Sequence, residues 1–267
     1  MTDALEVVER ALLERLTTTS RRPFVLGLCG AQGSGKSTLA ARLERRLNAE
    51  GISCVTLSLD DLYKTRTARR QMARDVHPLF ATRGPPGTHD LELGFALIEA
   101  IEHHQAGRIP RFDKARNDRY PAANWDIAPA GTQVLLLEGW FVGARPQPPE
   151  ALARPVNALE RDEDPTGIWR SYANAALAGD YQRLFARIDL LVLLAAPNFA
   201  VVRGWRTDQE RTLHAQRNAG MDEAEIGRFV EHYERLTRHI LTDMPAYADI
   251  VIKLDAARTP KSIEGRY

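Results

Sequence analysis

Cysteine is almost missing from this chain of 267 residues: Cys29 and Cys54 are the two present, and they form no C-x-x-C pair. That scarcity speaks against a disulfide scaffold, a thiolate metal site or a dithiol redox centre, and two reduced, buried thiols in a cytoplasmic protein are expected. Net charge is equally scarce. Lys+Arg number 36 against 35 Asp+Glu, a balance of +1, so no overall field draws the chain to nucleic acid or to an anionic membrane. No apolar run approaches the roughly 20 residues needed to cross a bilayer. Residues 1–22 mix charges with Leu5, Leu12, Leu13 and Leu16 and read as an amphipathic helix rather than a leader. Internal repeats are absent. The basic run 64–74 has no aromatic interleaving beyond Tyr63 and reads as mostly solvated surface rather than a nucleic-acid contact.

What the chain does have is 44% hydrophobic residues, enough for one full core, so a single domain over 23–262 is expected behind the N-terminal helix 1–22. Short apolar runs at 24–29, 52–59, 134–137, 188–194 and 250–254 alternate with amphipathic stretches at 36–50, 90–105, 167–187, 199–218 and 222–242. That layout predicts an α/β fold, a mainly parallel sheet flanked by helices on both faces. Asp222 is a candidate N-cap for the last helix and Pro245 its stop. Segments 83–87 and 143–155, rich in proline, read as extended surface loops. Ile263-Glu264-Gly265-Arg266 resembles a protease-recognition scar, so 263–267 are set aside as an added tail.

The strongest motif follows the first apolar run. Gly30-Ala31-Gln32-Gly33-Ser34-Gly35-Lys36-Ser37-Thr38 fits G-x-x-x-x-G-K-[ST] between a strand and a helix. Glycines let successive N–H groups turn inward around a phosphate, and the helix N-terminus adds partial positive charge. Lys36 can reach the β- and γ-phosphates, and Ser37 can ligate Mg²⁺, so a nucleoside triphosphate such as ATP is the expected ligand.

Three further elements carry chemistry. Ser58-Leu59-Asp60-Asp61-Leu62-Tyr63 ends the second strand, which delivers Asp60 to the same sheet edge as the loop. There Asp60 could accept a hydroxyl proton or bind the metal, while Asp61 suits a helix cap. Val134-Leu135-Leu136-Leu137-Glu138-Gly139-Trp140 ends a strand in Glu138, a second carboxylate for Mg²⁺, and Gly139 would let the backbone pass close to the ligand. The series Arg203, Arg206, Arg211 and Arg217 suits either a lid that neutralises charge during phosphoryl transfer or a solvated helix face.

An acceptor site is expected between these parts. Arg83-Gly84-Pro85-Pro86-Gly87-Thr88-His89-Asp90 leads into a helix with Thr88 or Asp90 as cap, and His89 is either a packed histidine or a ligand. Segment 110–121 crowds Arg111, Asp113, Lys114, Arg116, Asp118 and Arg119 between two prolines. A small anionic acceptor would suit Lys114 and Arg119, with Asp113 gripping a hydroxyl and Tyr63 beside it.

With Ser58 to Tyr63, Pro85 to Asp90, Ile109-Pro110-Arg111-Phe112-Asp113-Lys114, Leu137 to Trp140 and Val202-Arg203-Gly204-Trp205-Arg206 added to the phosphate loop, the chain resembles the class III glycerate kinases. These are relatives of uridine kinase, phosphoribulokinase and pantothenate kinase, and the resemblance runs from about Pro23 to Gly220-Met221-Asp222-Glu223 and Phe229-Val230. It implies a P-loop NTPase three-layer fold with lid and acceptor-loop insertions, and transfer from ATP to D-glycerate giving 3-phosphoglycerate. It also implies Asp60 as base, Glu138 near Mg²⁺, and Arg203 and Arg206 in the lid. The alternatives are a nucleoside or pantothenate-like acceptor, or an NTP-hydrolysing switch, although no N-K-x-D motif reads guanine. A monomer or homodimer without nucleic-acid or membrane partners is expected.

Overall fold

A computed structural model of the chain describes residues 3–20, 22–217 and 223–265, with backbone alone at 209–217 and 223–224. The chain opens with α1 (Ala4–Thr18), capped by the Asp3 carboxylate on the Leu5 N–H. Then come β1 (Phe24–Gly30), α2 (Lys36–Ala49), β2 (Cys54–Ser58), α3 (Arg66–Asp75) and α4 (Leu91–Glu102). Four short strands follow: β3 (Gly107–Ile109), β4 (Phe112–Asp113), β5 (Asp118–Arg119) and β6 (Asp126–Ala128). They form two antiparallel pairs, β3 with β6 and, inside it, β4 with β5. The remainder is β7 (Val134–Gly139), α5 (Ala158–Glu163), α6 (Ile168–Ala176), α7 (Gln182–Phe185), β8 (Leu190–Ala195), α8 (Phe199–Arg217), α9 (Glu223–Asp243), β9 (Ile250–Leu254) and β10 (Pro260–Gly265).

The main sheet runs β10-β9-β8-β1-β7-β2, parallel except for β10. Its central strands are continuous apolar runs because both faces are covered. On β1, Val25 and Cys29 face a core shared with Leu57, Leu137, Leu97 of α4 and Tyr233 of α9. Phe24, Leu26 and Leu28 face the opposite core with Leu12 of α1, Leu43 of α2 and Trp205 of α8. Leu5, Val8 and Leu12 are buried in that second core. At about 1.5–3 kcal/mol for each large apolar side chain buried, α1 is an integral layer of the fold. Gly27 lets β1 pass Ile188, whose Cδ1 would lie 2.8 Å from an added Cβ.

The structure departs from the sequence reading at several points. Residues 52–59 hold a strand that stops at Ser58, and Leu59–Leu62 turn as a 3₁₀ helix. Residues 167–187 are two helices, because Gly179 leaves helical space (φ −91, ψ −121) in the wide turn Leu177–Tyr181. The basic run 64–74 falls largely in α3 and is exposed or half-buried except at Arg69, which is fully buried. Gly84 to Pro86 are buried, not extended on the surface. Pro260–Gly265, set aside in part as a tail, pair along β9, and Lys253 meets Glu264 at 2.6 Å. Asp90 stands at the N-cap of α4 but makes no side-chain cap, and Thr88 Oγ1 donates to Pro85 O instead. Residues 143–155 do run over the surface, with one 3₁₀ turn at Pro149–Leu152.

Both cysteines are buried and free, and burial pushes the Cys29 thiol up to about 12 despite the opposing charge of Lys36. No helix among the described residues is long and apolar enough to cross a membrane. Asp222, with Gly220 and Met221, lies outside the described residues, as do the side chains of Arg211 and Arg217.

Candidate active site

Parallel pairing brings three strand ends level: Cys29 of β1 lies beside Gly139 of β7, and Ser58 of β2 beside Glu138. The loop after β1 therefore opens onto the same edge as both acidic residues. Gly33 (φ 80) and Gly35 (φ 89) take left-handed backbone that other residues rarely adopt. Nothing lies within 4 Å of a Cβ built on Gly35, whereas one on Gly33 would strike Trp205 Cβ at 2.7 Å. Gly35 caps α2 without a side-chain hydrogen bond, which leaves the first N–H groups of the helix free for an anion. Ser34 Oγ is buried with no partner among the described residues. The loop has the shape and the donors of a phosphate cradle.

At its mouth Ser37 Oγ donates to Glu138 Oε2 at 3.3 Å, and Lys36 Nζ stands 3.9 Å from the same oxygen. A few hard oxygen donors of this kind suit Mg²⁺, which keeps waters and phosphate oxygens in its shell. No group of three or more His, Cys, Asp or Glu among the described residues could hold a metal alone. Gly139 follows Glu138 at the end of β7. An added Cβ there would lie 2.7 Å from Leu59 Cβ, so the glycine admits the 3₁₀ turn that carries Asp60.

That turn separates the two aspartates. Asp60 Oδ1 accepts from Tyr63 Oη at 2.9 Å and Oδ2 from Lys114 Nζ at 2.7 Å. Burial alone would raise the Asp60 carboxyl, but the ammonium charges of Lys114 and Lys36 hold it well below the usual carboxylate range. Tyr63 is pushed up, first by burial and then by the Asp60 charge, and stays a donor. Asp61 is not a helix cap: it accepts from Phe112 N and Arg111 Nη1, both at 2.9 Å, and ties the inner hairpin to the end of β2. Asp113 accepts from Ala115 N and Arg116 N, so its carboxylate shapes the hairpin turn. Arg119 donates to Tyr63 O and to Asp90. His89 is buried, stacked on Tyr63 at 4.5 Å and within 2.6 Å of Tyr181 Oη; burial pushes it down to about 3, so it is neutral.

The arginines of α8 part company. Arg206 lies over the Phe229 ring at 5.1 Å and its charge acts on Tyr233, which hydrogen-bonds Gln32 of the loop. Arg203 is exposed beside Gly227.

The sequence matches the Phosphoribulokinase / Uridine kinase family over residues 25–145. It is 36% identical over 239 residues to "Uncharacterized kinase mug58" of Schizosaccharomyces pombe, covering 85% of each chain. The chain belongs to the phosphoribulokinase/uridine kinase family. This kinase is also 28% identical to "D-glycerate 3-kinase, chloroplastic" of Arabidopsis thaliana, over 79% of its own length and 46% of the plant protein's. In fold it is similar to D-glycerate 3-kinase from Cryptococcus neoformans, with a TM-score of 0.81 at 24% identity, covering 99% and 100% of the two chains.

Several residues of the kinase site carry no motif. Arg258, at φ 67 after β9, donates from Nε to Gly33 O at 2.8 Å and lies over the Trp205 ring. The phosphate loop is thus held between Trp205 and Arg258. Tyr233 of α9 donates to Arg83 O at 3.2 Å, and Trp140 Nε1 donates to Gly84 O at 3.2 Å. An added Cβ on Gly84 (φ 132) would sit 2.3 Å from Tyr233 Oη, so this glycine is needed for the close approach. Trp140 was visible in its segment; Tyr233 and Arg258 had no local signal.

Proposed function

We propose that the protein transfers the γ-phosphate of ATP to a hydroxyl of a small anionic acceptor, D-glycerate, giving 3-phosphoglycerate. The observation that carries this reading is Asp60, held by Tyr63 and Lys114 at the strand end next to Glu138 and the phosphate loop. An acidic residue fixed beside a phosphate cradle has a use in orienting an acceptor alcohol. The name of the Arabidopsis relative supplies the acceptor, and the basic residues on the acceptor side, Lys114 among them, suit an acid better than a neutral alcohol.

In this mechanism the backbone N–H groups of residues 30–38 and Lys36 bind the phosphates. Ser37 and Glu138 would hold Mg²⁺, which supplies charge neutralisation at the phosphate oxygens. Asp60 accepts the hydrogen bond of the attacking hydroxyl and takes its proton as the new P–O bond forms. A carboxylate held this low is a weak base, so it aligns the hydroxyl first and receives the proton late. Tyr63 and Lys114 hold Asp60, and the lid role is given to Arg206 on α8, whose guanidinium would neutralise charge on the transferring group.

The test is an acceptor panel of D-glycerate, L-glycerate, uridine and pantothenate with ATP and Mg²⁺, the products identified by phosphorus NMR. The expected product is phosphorylated at the D-glycerate primary hydroxyl. Turnover confined to uridine or pantothenate would replace this acceptor with the larger neutral or pantothenate-like one.

A further inference from the structure

Arg83 and Arg69 set two guanidinium groups over one aromatic ring, 5.7 and 5.4 Å from the centroid of Phe112. Neither forms an ion pair among the described residues; both donate to Asn117 Oδ1, at 2.7 and 2.8 Å. Arg69 is fully buried, with its other donors on the carbonyls of Lys64 and Asn117 and its Nε without a partner. Asp118 acts on Arg69 only at longer range, and its carboxylate accepts from Arg66 N and Arg119 N. Burial and the neighbouring charge of Arg83 push Arg69 down to about 10. Two like charges sharing a neutral amide in a half-buried position are unfavourable unless an anion joins them.

Arg83 is the more exposed of the two; its carbonyl accepts from Tyr233 Oη and the carbonyl of the next residue, Gly84, accepts from Trp140 Nε1. Its charge acts on Tyr63, Tyr233 and Lys114. Tyr63 and Lys114 are the two residues bonded to Asp60, and Phe112 meets Tyr63 edge-on at 5.3 Å. Asp60 and Arg83 are thus both tied to the Tyr63–Phe112 pair, Asp60 through the Tyr63 hydroxyl and Arg83 through the Phe112 ring.

Resting on the reading of this site as one for a small acid acceptor, we propose that Arg83, braced by Asn117 and Phe112, binds the acceptor's carboxylate while Asp60 takes its hydroxyl. The planar fork of Arg83 suits a carboxylate bidentately. Arg69 is a positioning residue: it holds Asn117 and has no exposed surface to offer a ligand. The class selected is a short hydroxy acid whose carboxylate and hydroxyl are a few bonds apart, and glycerol, with the same carbon skeleton and no charge, is rejected.

The test measures KM for D-glycerate, kcat/KM for glycerol, KM for ATP and the melting midpoint in the wild type, Arg83→Gln and Arg83→Lys. Loss of a charge-assisted bidentate contact should raise the D-glycerate KM about 10- to 100-fold in Arg83→Gln. Arg83→Lys should raise it at least about threefold, since a lysine keeps the charge and loses the fork. The ATP KM and the melting midpoint should hold in both, which separates loss of the contact from loss of the fold, and the preference for D-glycerate over glycerol should fall. Should Arg83→Gln fail to fold, Arg83→Lys decides. A wild type that uses D-glycerate with a KM unchanged in the folded variants overturns this assignment and leaves the proposed function standing. A wild type that phosphorylates only neutral alcohols overturns both.

Discussion

Replacing Asp60 by Asn removes charge while keeping shape, and the structure says what each oxygen loses. The amide oxygen can still accept from Tyr63 Oη, now 2.9 Å from Oδ1. The amide nitrogen would face the Lys114 ammonium at the place where Oδ2 now accepts at 2.7 Å, donor against donor. The stability consequence is small: Lys114 is 61% exposed, and an ion pair so solvated contributes at most about 1 kcal/mol. Relief of the burial of the Asp60 charge offsets part of that. The rate consequence is large, because the group that receives the hydroxyl proton is gone. A general base contributes about 10²- to 10⁴-fold, or about 2.7–5.5 kcal/mol of barrier at 1.36 per factor of ten. Stopped assays of kcat, with thermal melting and the ATP KM measured alongside, should show kcat down at least about 100-fold while the melting point and ATP binding stay near wild type. An Asp60→Asn enzyme within tenfold of the wild-type kcat would refute the role given to Asp60.

Lys114→Gln should move the acid limb of the kcat–pH profile upward, since burial would then act on Asp60 with less opposing charge; an unmoved limb contradicts the coupling. The same depressed carboxyl gives stability that is present above the ordinary carboxylate range and lost as pH falls through the lower folded value, so Asp60→Asn should flatten the most acidic part of the stability curve. Arg258→Ala removes the donor on Gly33 O and should raise the ATP KM about fivefold, as for loss of one hydrogen bond of about 1 kcal/mol, with the acceptor KM unchanged. Glu160→Gln strikes far from the chemistry: Glu160 is fully buried and pairs with Arg235 Nε and Nη2 at 2.7 and 2.6 Å. Breaking that pair should lower stability by about 3–5 kcal/mol and the melting midpoint by roughly 10 °C, with kcat at 25 °C unaltered.

The parts of the candidate site that could be read from the sequence are those in which adjacent residues carry the motif. Residues 30–38 carry the loop motif in consecutive positions, and Asp60 and Glu138 lie at the ends of apolar strands whose parallel pairing sets them at one edge. The parts that escaped depend on contacts across long stretches of chain. Arg258 reaches Gly33 over 225 positions and Tyr233 reaches Arg83 over 150, distances at which no local pattern carries information. Arg69 sits in a basic run whose composition reads as solvated; burial is decided by Asn117 and Phe112 of the inner hairpin, which close over it. Asp60 and Asp61 are identical residues side by side, and only the 3₁₀ turn after β2 sends one to Lys114 and the other to Arg111. Gly139 had a local reading, close approach of the backbone, and the structure adds a partner that reading did not name, Leu59 of the 3₁₀ turn.

The central claim is that γ-phosphate leaves ATP for a small acid and not for water. ADP release followed by a coupled assay, in ATP and Mg²⁺ with and without D-glycerate, tests it most directly. The expected result is a rate that rises at least about 100-fold on adding D-glycerate, since closure over the bound acceptor completes the transfer site and expels the water that would otherwise compete. ADP release at the same rate with and without D-glycerate would contradict it and favour an NTP-hydrolysing switch.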